Sequence, residues 1–295
     1  SATSSGTAFT ATPTFTTGSS GSGTGAVTYA VVTGGTATCT LSNSSSSATL
    51  TATTAGTCLI AATKASDTNY LSATSSNLTF TFSAATQSIT FTAPSTTQFS
   101  AGSVSVSGTS TSGLTVAFSS GSTSVCTVSG TTVTFVSVGS CVVNADQSGN
   151  TYYSAATQVQ RTFTISVGTQ ATLNISASVS SASYNGTAYT ATPIFSTTGG
   201  SGTGSVSYAV VSGGTATTCA YDGSTGVLSA ASLTNSSGTC LIAATKASDS
   251  NYNSATSSNF TFTFNKATLA TPADPTVTAA TTSATGLSVN WIAVT

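Results

Sequence analysis

Apolar residues recur at every second position along much of the chain. Ile89/Phe91, Leu114/Val116/Phe118, Val133/Phe135, Leu173/Ile175/Ala177 and Phe260/Phe262/Phe264 are examples, and the residues between them are mainly Thr and Ser. A period of two puts one residue type on each face of a strand, as an antiparallel sheet with one wet face requires. Thr and Val are β-branched and favour the pleated surface. No segment carries a convincing helical period. Gly/Ser-rich stretches at 17–25 and 196–204 are predicted to be exposed loops.

The pattern also repeats. Gly6-Thr-Ala-Phe-Thr-Ala-Thr-Pro13 recurs as Gly186-Thr-Ala-Tyr-Thr-Ala-Thr-Pro193, and Gly21-Ser-Gly-Thr-Gly recurs as Gly200-Ser-Gly-Thr-Gly. Cys58-Leu-Ile-Ala-Ala-Thr-Lys64-Ala-Ser-Asp67 recurs as Cys240-Leu-Ile-Ala-Ala-Thr-Lys246-Ala-Ser-Asp249. Both copies continue to Asn-Tyr and end in Phe-Thr-Phe. A more distant relative lies between them, where Cys141-Val-Val-Asn-Ala-Asp146-Gln-Ser-Gly-Asn150 matches the Cys58 segment and Tyr153 stands where Tyr70 and Tyr252 stand. The expected order is an A-type module at 1–83, a B-type module at 84–167, a second A-type module at 168–266 and a partial module at 267–295. Modules of this size suit tandem immunoglobulin-like antiparallel β-sandwiches, an all-β fold. The first repeat has no sequence to match 171–178, the expected first strand of the third. The chain is therefore expected to be a window on a longer polypeptide, or to receive that strand from a neighbour.

The six cysteines, Cys39, Cys58, Cys126, Cys141, Cys219 and Cys240, fall two per repeat at separations of 19, 15 and 21 residues. That spacing lacks the short Cys or His clusters of zinc sites. It reads as three intra-module disulfides, Cys39–Cys58, Cys126–Cys141 and Cys219–Cys240, and an oxidising compartment. The alternative is six buried free thiols.

Charge is scarce: 3% of the 295 residues, with no His, Glu or Met. A disordered mucin-like stalk would share that bias, but 38% hydrophobic residues in strand-like order supply a core. Four scattered cations make no patch for nucleic acid or anionic lipid, and no apolar run is long enough to cross a bilayer as a helix. Without His there is no base for Ser or Cys catalysis, and no complete module holds more than two Asp. The chain is expected not to be an enzyme and to hold no metal or cofactor. Asp67 and Asp249 are read as loop caps in preference to calcium ligands. Gly21-Ser-Gly-Thr-Gly is read as a sheet connection, because it lacks the Lys of a phosphate loop. Lys64 and Lys246 could in principle form Lys–Asn cross-links, but the middle module has Gln147 at that position. Tyr70, Tyr153 and Tyr252 are expected to wedge against a sandwich end.

The run at 139–153, preceded by Gln87-Ser-Ile-Thr-Phe91 and followed by Phe163-Thr-Ile, resembles the bacterial immunoglobulin-like repeats of giant surface proteins. Residues 1–83 and 168–266 resemble a sister repeat of those proteins. Pro272-Ala-Asp-Pro275-Thr-Val with Leu287-Ser-Val-Asn-Trp291 resembles the opening two strands of a fibronectin type III module. The resemblance implies a structural spacer in an extracellular bacterial fibre, adhesin or surface filament. Its partners would be its own neighbouring repeats or copies of itself, without nucleic acid or membrane insertion. A binding module that recognises a glycan or host protein through its Gly/Ser loops is the alternative.

Overall fold

The computed structural model describes residues 1–17 and 22–271. The expected fibronectin-like strands lie outside the described residues. The chain divides into two compact units. One comprises Ser1–Ala171 with the loop segments Ser201–Gly204 and Ala247–Ala255; the other comprises Thr172–Gly200, Ser205–Lys246 and the chain from Thr256. Among the described residues the structure is all-β, apart from one 3₁₀ turn at Phe99–Ala101.

The first unit holds two sandwiches. In the first, Val27–Val32, Gly56–Lys64 and Leu78–Ser83 pair antiparallel, and Ala2–Thr3 joins the edge parallel to Leu78–Ser83. The facing sheet is Phe9–Ala11, Leu50–Ala52 and Cys39–Leu41. Between them Phe9, Leu50, Cys58, Ile60 and Phe82 are almost fully buried. Phe15 stacks on Tyr29 at 5.2 Å, and the Tyr29 hydroxyl donates to the Phe15 carbonyl at 3.3 Å. This satisfies the only polar atom that ring brings inside.

In the second sandwich, Ala117–Ser120, Gly139–Asp146 and Val159–Ser166 pair antiparallel, with Thr97–Gln98 parallel at the edge. The facing sheet is Ser103–Ser105, Thr132–Phe135 and Cys126–Ser129, and Ile89–Phe91 pairs with Gly108–Ser110. Val133, Val143, Ala145 and Ile165 fill the core. The alternation at Leu114, Val116 and Phe118 survives as burial of Val116, but strand pairing starts only at Ala117. There the Ser110 and Ser112 hydroxyls and the Gln87 and Gln147 amides bond to one another and to loop backbone, including the Leu114 and Thr115 carbonyls, in place of a ladder.

The second unit repeats the first sandwich. Val206–Val211, Ser237–Lys246 and Phe260–Asn265 pair antiparallel with Ser181–Ser183 parallel at the edge, facing Tyr189–Ala191, Val227–Ala230 and Ala220–Asp222. Leu228, Cys240, Ile242, Phe262 and Phe264 form its core. It also has a two-stranded ribbon, Leu173–Ala177 with Phe195–Gly199. Residues 196–199 of the Gly/Ser stretch expected to be loop at 196–204 are therefore strand. Ala2–Thr3 is the counterpart of Ser181–Ser183, and among the described residues the first sandwich has no counterpart of Leu173–Ala177.

Three disulfides, Cys39–Cys58, Cys126–Cys141 and Cys219–Cys240, join facing sheets, with Cα separations of 5.9, 5.7 and 5.8 Å. No free cysteine remains among the described residues. On the wet faces Thr hydroxyls pair across strands, as in Thr40–Thr51 at 2.7 Å and Thr63–Thr74 at 3.0 Å. Such pairs supply the cross-strand contact that ion pairs give elsewhere.

Candidate functional site

One arrangement that recurs in every module is a tight hairpin after the long central strand, built on Asp67, Asn150 and Asp249. Each begins with the same local geometry. Asp67 Oδ1 accepts the N–H groups of Asn69 and Tyr70 at 2.9 and 3.0 Å. Asn150 Oδ1 accepts those of Tyr152 and Tyr153 at 2.8 and 2.9 Å, and Asp249 Oδ1 those of Asn251 and Tyr252 at 2.8 and 2.9 Å. Asn and Asp cap such turns because their short side chain reaches backbone two and three residues on.

In the A-type modules the Gly/Ser motif completes the cap. Thr24 N–H donates to Asp67 Oδ2 at 2.6 Å, and Thr203 N–H donates to Asp249 Oδ2 at the same distance. Gly25 and Gly204 pass so close to the opposite strand that a Cβ on either would lie 1.9 Å from the carbonyl oxygen of Ala65 or Ala247. Only glycine fits there. Lys64 Nζ donates to the Gly23 carbonyl at 2.8 Å. The described part of Gly-Ser-Gly-Thr-Gly is thus engaged in holding the acidic hairpin, which its phosphate-loop look did not suggest. In the B-type module, where Asn150 carries one acceptor, Gln147 and Gln87 take over: Gln147 Oε1 accepts from Gly149 N–H and from Gln87 Nε2.

These hydrogen bonds favour the ionised carboxylates. The Asn69 N–H first and the Thr24 N–H next hold Asp67 below its ordinary 3.8, and the Thr203 and Asn251 N–H groups do the same for Asp249. Asp222, at the turn between Ala220–Asp222 and Val227–Ala230, is lowered to about 2, chiefly by the Ser224 hydroxyl and N–H. Among the described residues no group of three or more His, Cys, Asp or Glu comes together.

Two of the three hairpins make a junction within the first unit. Ala85, at the seam after the first sandwich, donates its N–H to the Tyr152 carbonyl at 2.8 Å and accepts from Ser154 N–H at 2.9 Å. The Tyr152 ring packs on Phe9 at 5.5 Å, and the Tyr153 hydroxyl lies over Gly6. Gly168, at the next seam, repeats this with the hairpin of Ala247–Ala255: its N–H donates to the Asn251 carbonyl and its carbonyl accepts from Asn253 N–H, both at 2.9 Å. Tyr252 meets Phe99 edge-on at 5.5 Å, and Asn251 Oδ1 accepts from Val138 N–H at 3.1 Å. Tyr153 and Tyr252 therefore wedge against a neighbouring module's end, not only their own. The third hairpin differs, with Tyr70 51% exposed and Leu71 92% exposed. Tyr152, Asn251 and the seam residues Ala85 and Gly168 were not legible as functional, because their partners are 67 or more residues away in sequence or in another module.

No protein-family model matches the chain, and no curated protein matches it. Among solved structures it is similar to the extracellular domain of protocadherin GammaB4, at 14% identity and a TM-score of 0.28, covering 90% of this chain and 52% of that one. It is also similar to mouse cadherin-23 EC22-24, at 11% identity and 0.30, covering 82% and 86%. Drosophila N-cadherin EC1-4 follows at 11% identity and 0.27, covering 83% and 67%. The chain spans about half the length of the protocadherin GammaB4 structure.

Proposed function

We propose that the chain is a non-catalytic structural spacer of an extracellular fibre, adhesin or filament, of the bacterial immunoglobulin-like kind, continued by a fibronectin type III-like module. The observation that carries this reading is the recurring junction. The capped hairpins at 150–154 and 249–253 each reach back across a seam, bond the seam residue on both sides and set a tyrosine on the preceding module. A flexible string of binding domains has no need of such seams. Three disulfides across facing sheets add resistance to opening, and they belong with an oxidising, extracellular setting.

Pulling the chain from its two ends by force spectroscopy tests the reading. Oxidised protein should unfold in discrete steps with the 19-, 15- and 21-residue loops withheld. Reduction should release those loops, at about 3.5 Å per residue. A chain that extends without discrete resistance is no spacer. Specific glycan binding lost on substitution at Thr24 and Thr203 would favour the binding-module alternative.

A further inference from the structure

We infer that the two junctions are not interchangeable: the A-type receiving end fits a B-type hairpin, and the B-type receiving end fits an A-type hairpin. This deepens the spacer reading and rests on it, because it names the partner that each junction takes. All the residues concerned lie in the first unit.

The hairpins differ at the first of two successive positions. The B-type hairpin carries Tyr152-Tyr153, whereas the A-type hairpins carry Asn69-Tyr70 and Asn251-Tyr252. The receiving ends differ at the matching places. On the A-type end the first position meets a ring, with Phe9 5.5 Å from Tyr152, and the second meets a glycine, with the Tyr153 hydroxyl over Gly6. On the B-type end the ring lies under the second position instead, where Tyr252 stands edge-on to Phe99 at 5.5 Å and 87°. The first position there meets a backbone donor, and Asn251 Oδ1 accepts from Val138 N–H at 3.1 Å.

Exchanging the hairpins would spoil both contacts. An asparagine against Phe9 would trade a ring–ring contact for an amide on an apolar ring. A tyrosine in place of Asn251 would hold its only side-chain polar atom at the far end of a ring and leave Val138 N–H without its acceptor.

The seam residues follow the same division. Ala85 and Gly168 make the same pair of backbone hydrogen bonds to their hairpins. A Cβ on Gly168, however, would lie 2.6 Å from the backbone nitrogen of Ser100, next to Phe99. Gly168 does not have a positive φ, so the requirement there is for space and not for a glycine backbone. The B-type end thus takes a glycine seam where the A-type end takes alanine. Residues 1–83 and 168–266 are near-copies, and hairpins that fitted either end would allow mispairing between modules. The opposed placement of ring, glycine and hydrogen-bond donor works against it.

The test uses the whole 295-residue chain and reads hydrogen exchange at the Ala85 and Gly168 amides, which are bonded across the seams. Tyr152→Asn, which gives the middle hairpin the A-type residue, should speed exchange at Ala85 about tenfold, and Tyr152→Phe should not. Asn251→Tyr should speed exchange at Gly168 roughly three- to tenfold, and Asn251→Asp, which keeps the acceptor, should not. Exchange at Val143, in the middle core, should stay constant in all four variants, which separates loss of a junction from loss of the fold. Seam protection that survives both Tyr152→Asn and Asn251→Tyr would overturn the inference and leave the spacer reading standing. Seam amides that exchange freely in the unaltered chain would overturn both.

Discussion

The Tyr153 hydroxyl oxygen occupies the space that a side chain on Gly6 would need; a Cβ there would lie 2.2 Å from it. This contact joins the first loop of one sandwich to the capped hairpin of the next. It makes a glycine a junction residue as well as a turn residue.

Gly6→Ala should therefore cost more than Gly186→Ala. Both place an L side chain at positive φ, a strain of roughly 1–2 kcal/mol. Among the described residues only the first also meets a packed neighbour, adding about 1–3 kcal/mol. Hydrogen exchange resolved by module, with equilibrium unfolding of both variants, measures the difference. Equal losses would mean Tyr153 simply moves aside.

Removing the ring contact between Phe99 and Tyr252 tests the second junction. Phe99→Ala, Tyr252→Ala and the double variant should show a coupling of about 0.5–1.5 kcal/mol, as for other edge-to-face pairs. Additive losses would show that the two rings pack independently.

Acid should loosen the A-type hairpins and spare the middle one. Asp67 and Asp249 are held below 3.8 and Asp222 at about 2. A lowered folded pKa means stability that is present above the unfolded value and lost as pH falls through the folded one. Exchange protection at Thr24, Asn69 and Tyr70 should fall as pH drops below about 3.8, while Tyr152 and Tyr153, capped by Asn150, keep theirs. Asp67→Asn should remove this acid response locally. A response unchanged in that variant would place its origin elsewhere.

Reduction should lower the stability of each sandwich by roughly 3 kcal/mol, the chain-entropy value for loops of this length. Sheet content at low temperature should be kept, because breaking the S–S bonds leaves the strand ladders and the buried Phe82, Val133 and Phe262 in place. Far-ultraviolet dichroism and thermal melts with and without reductant read both quantities.

The strands and the pairing of repeats were legible in the sequence because both are local. Val133/Phe135 and Phe260/Phe262/Phe264 alternate on one face, and burial of one face needs only a period of two. The cysteine count per repeat is local in the same sense, and so is the capping power of Asp67 next to Asn69 and Tyr70. The strand edges near Leu114 and Phe195 were not legible, since hydroxyl and amide networks and a partner ribbon decide them. Nor was the meaning of Gly-Ser-Gly-Thr-Gly. Its glycines answer to the Ala65 and Ala247 carbonyls and its Thr to a carboxylate 43 or 46 residues away. What Tyr70, Tyr153 and Tyr252 do was likewise decided only by tertiary structure. Three nearly identical hairpins acquire different roles according to whether another module's glycine or aromatic ring lies in front of them, and that distance is written nowhere along the chain.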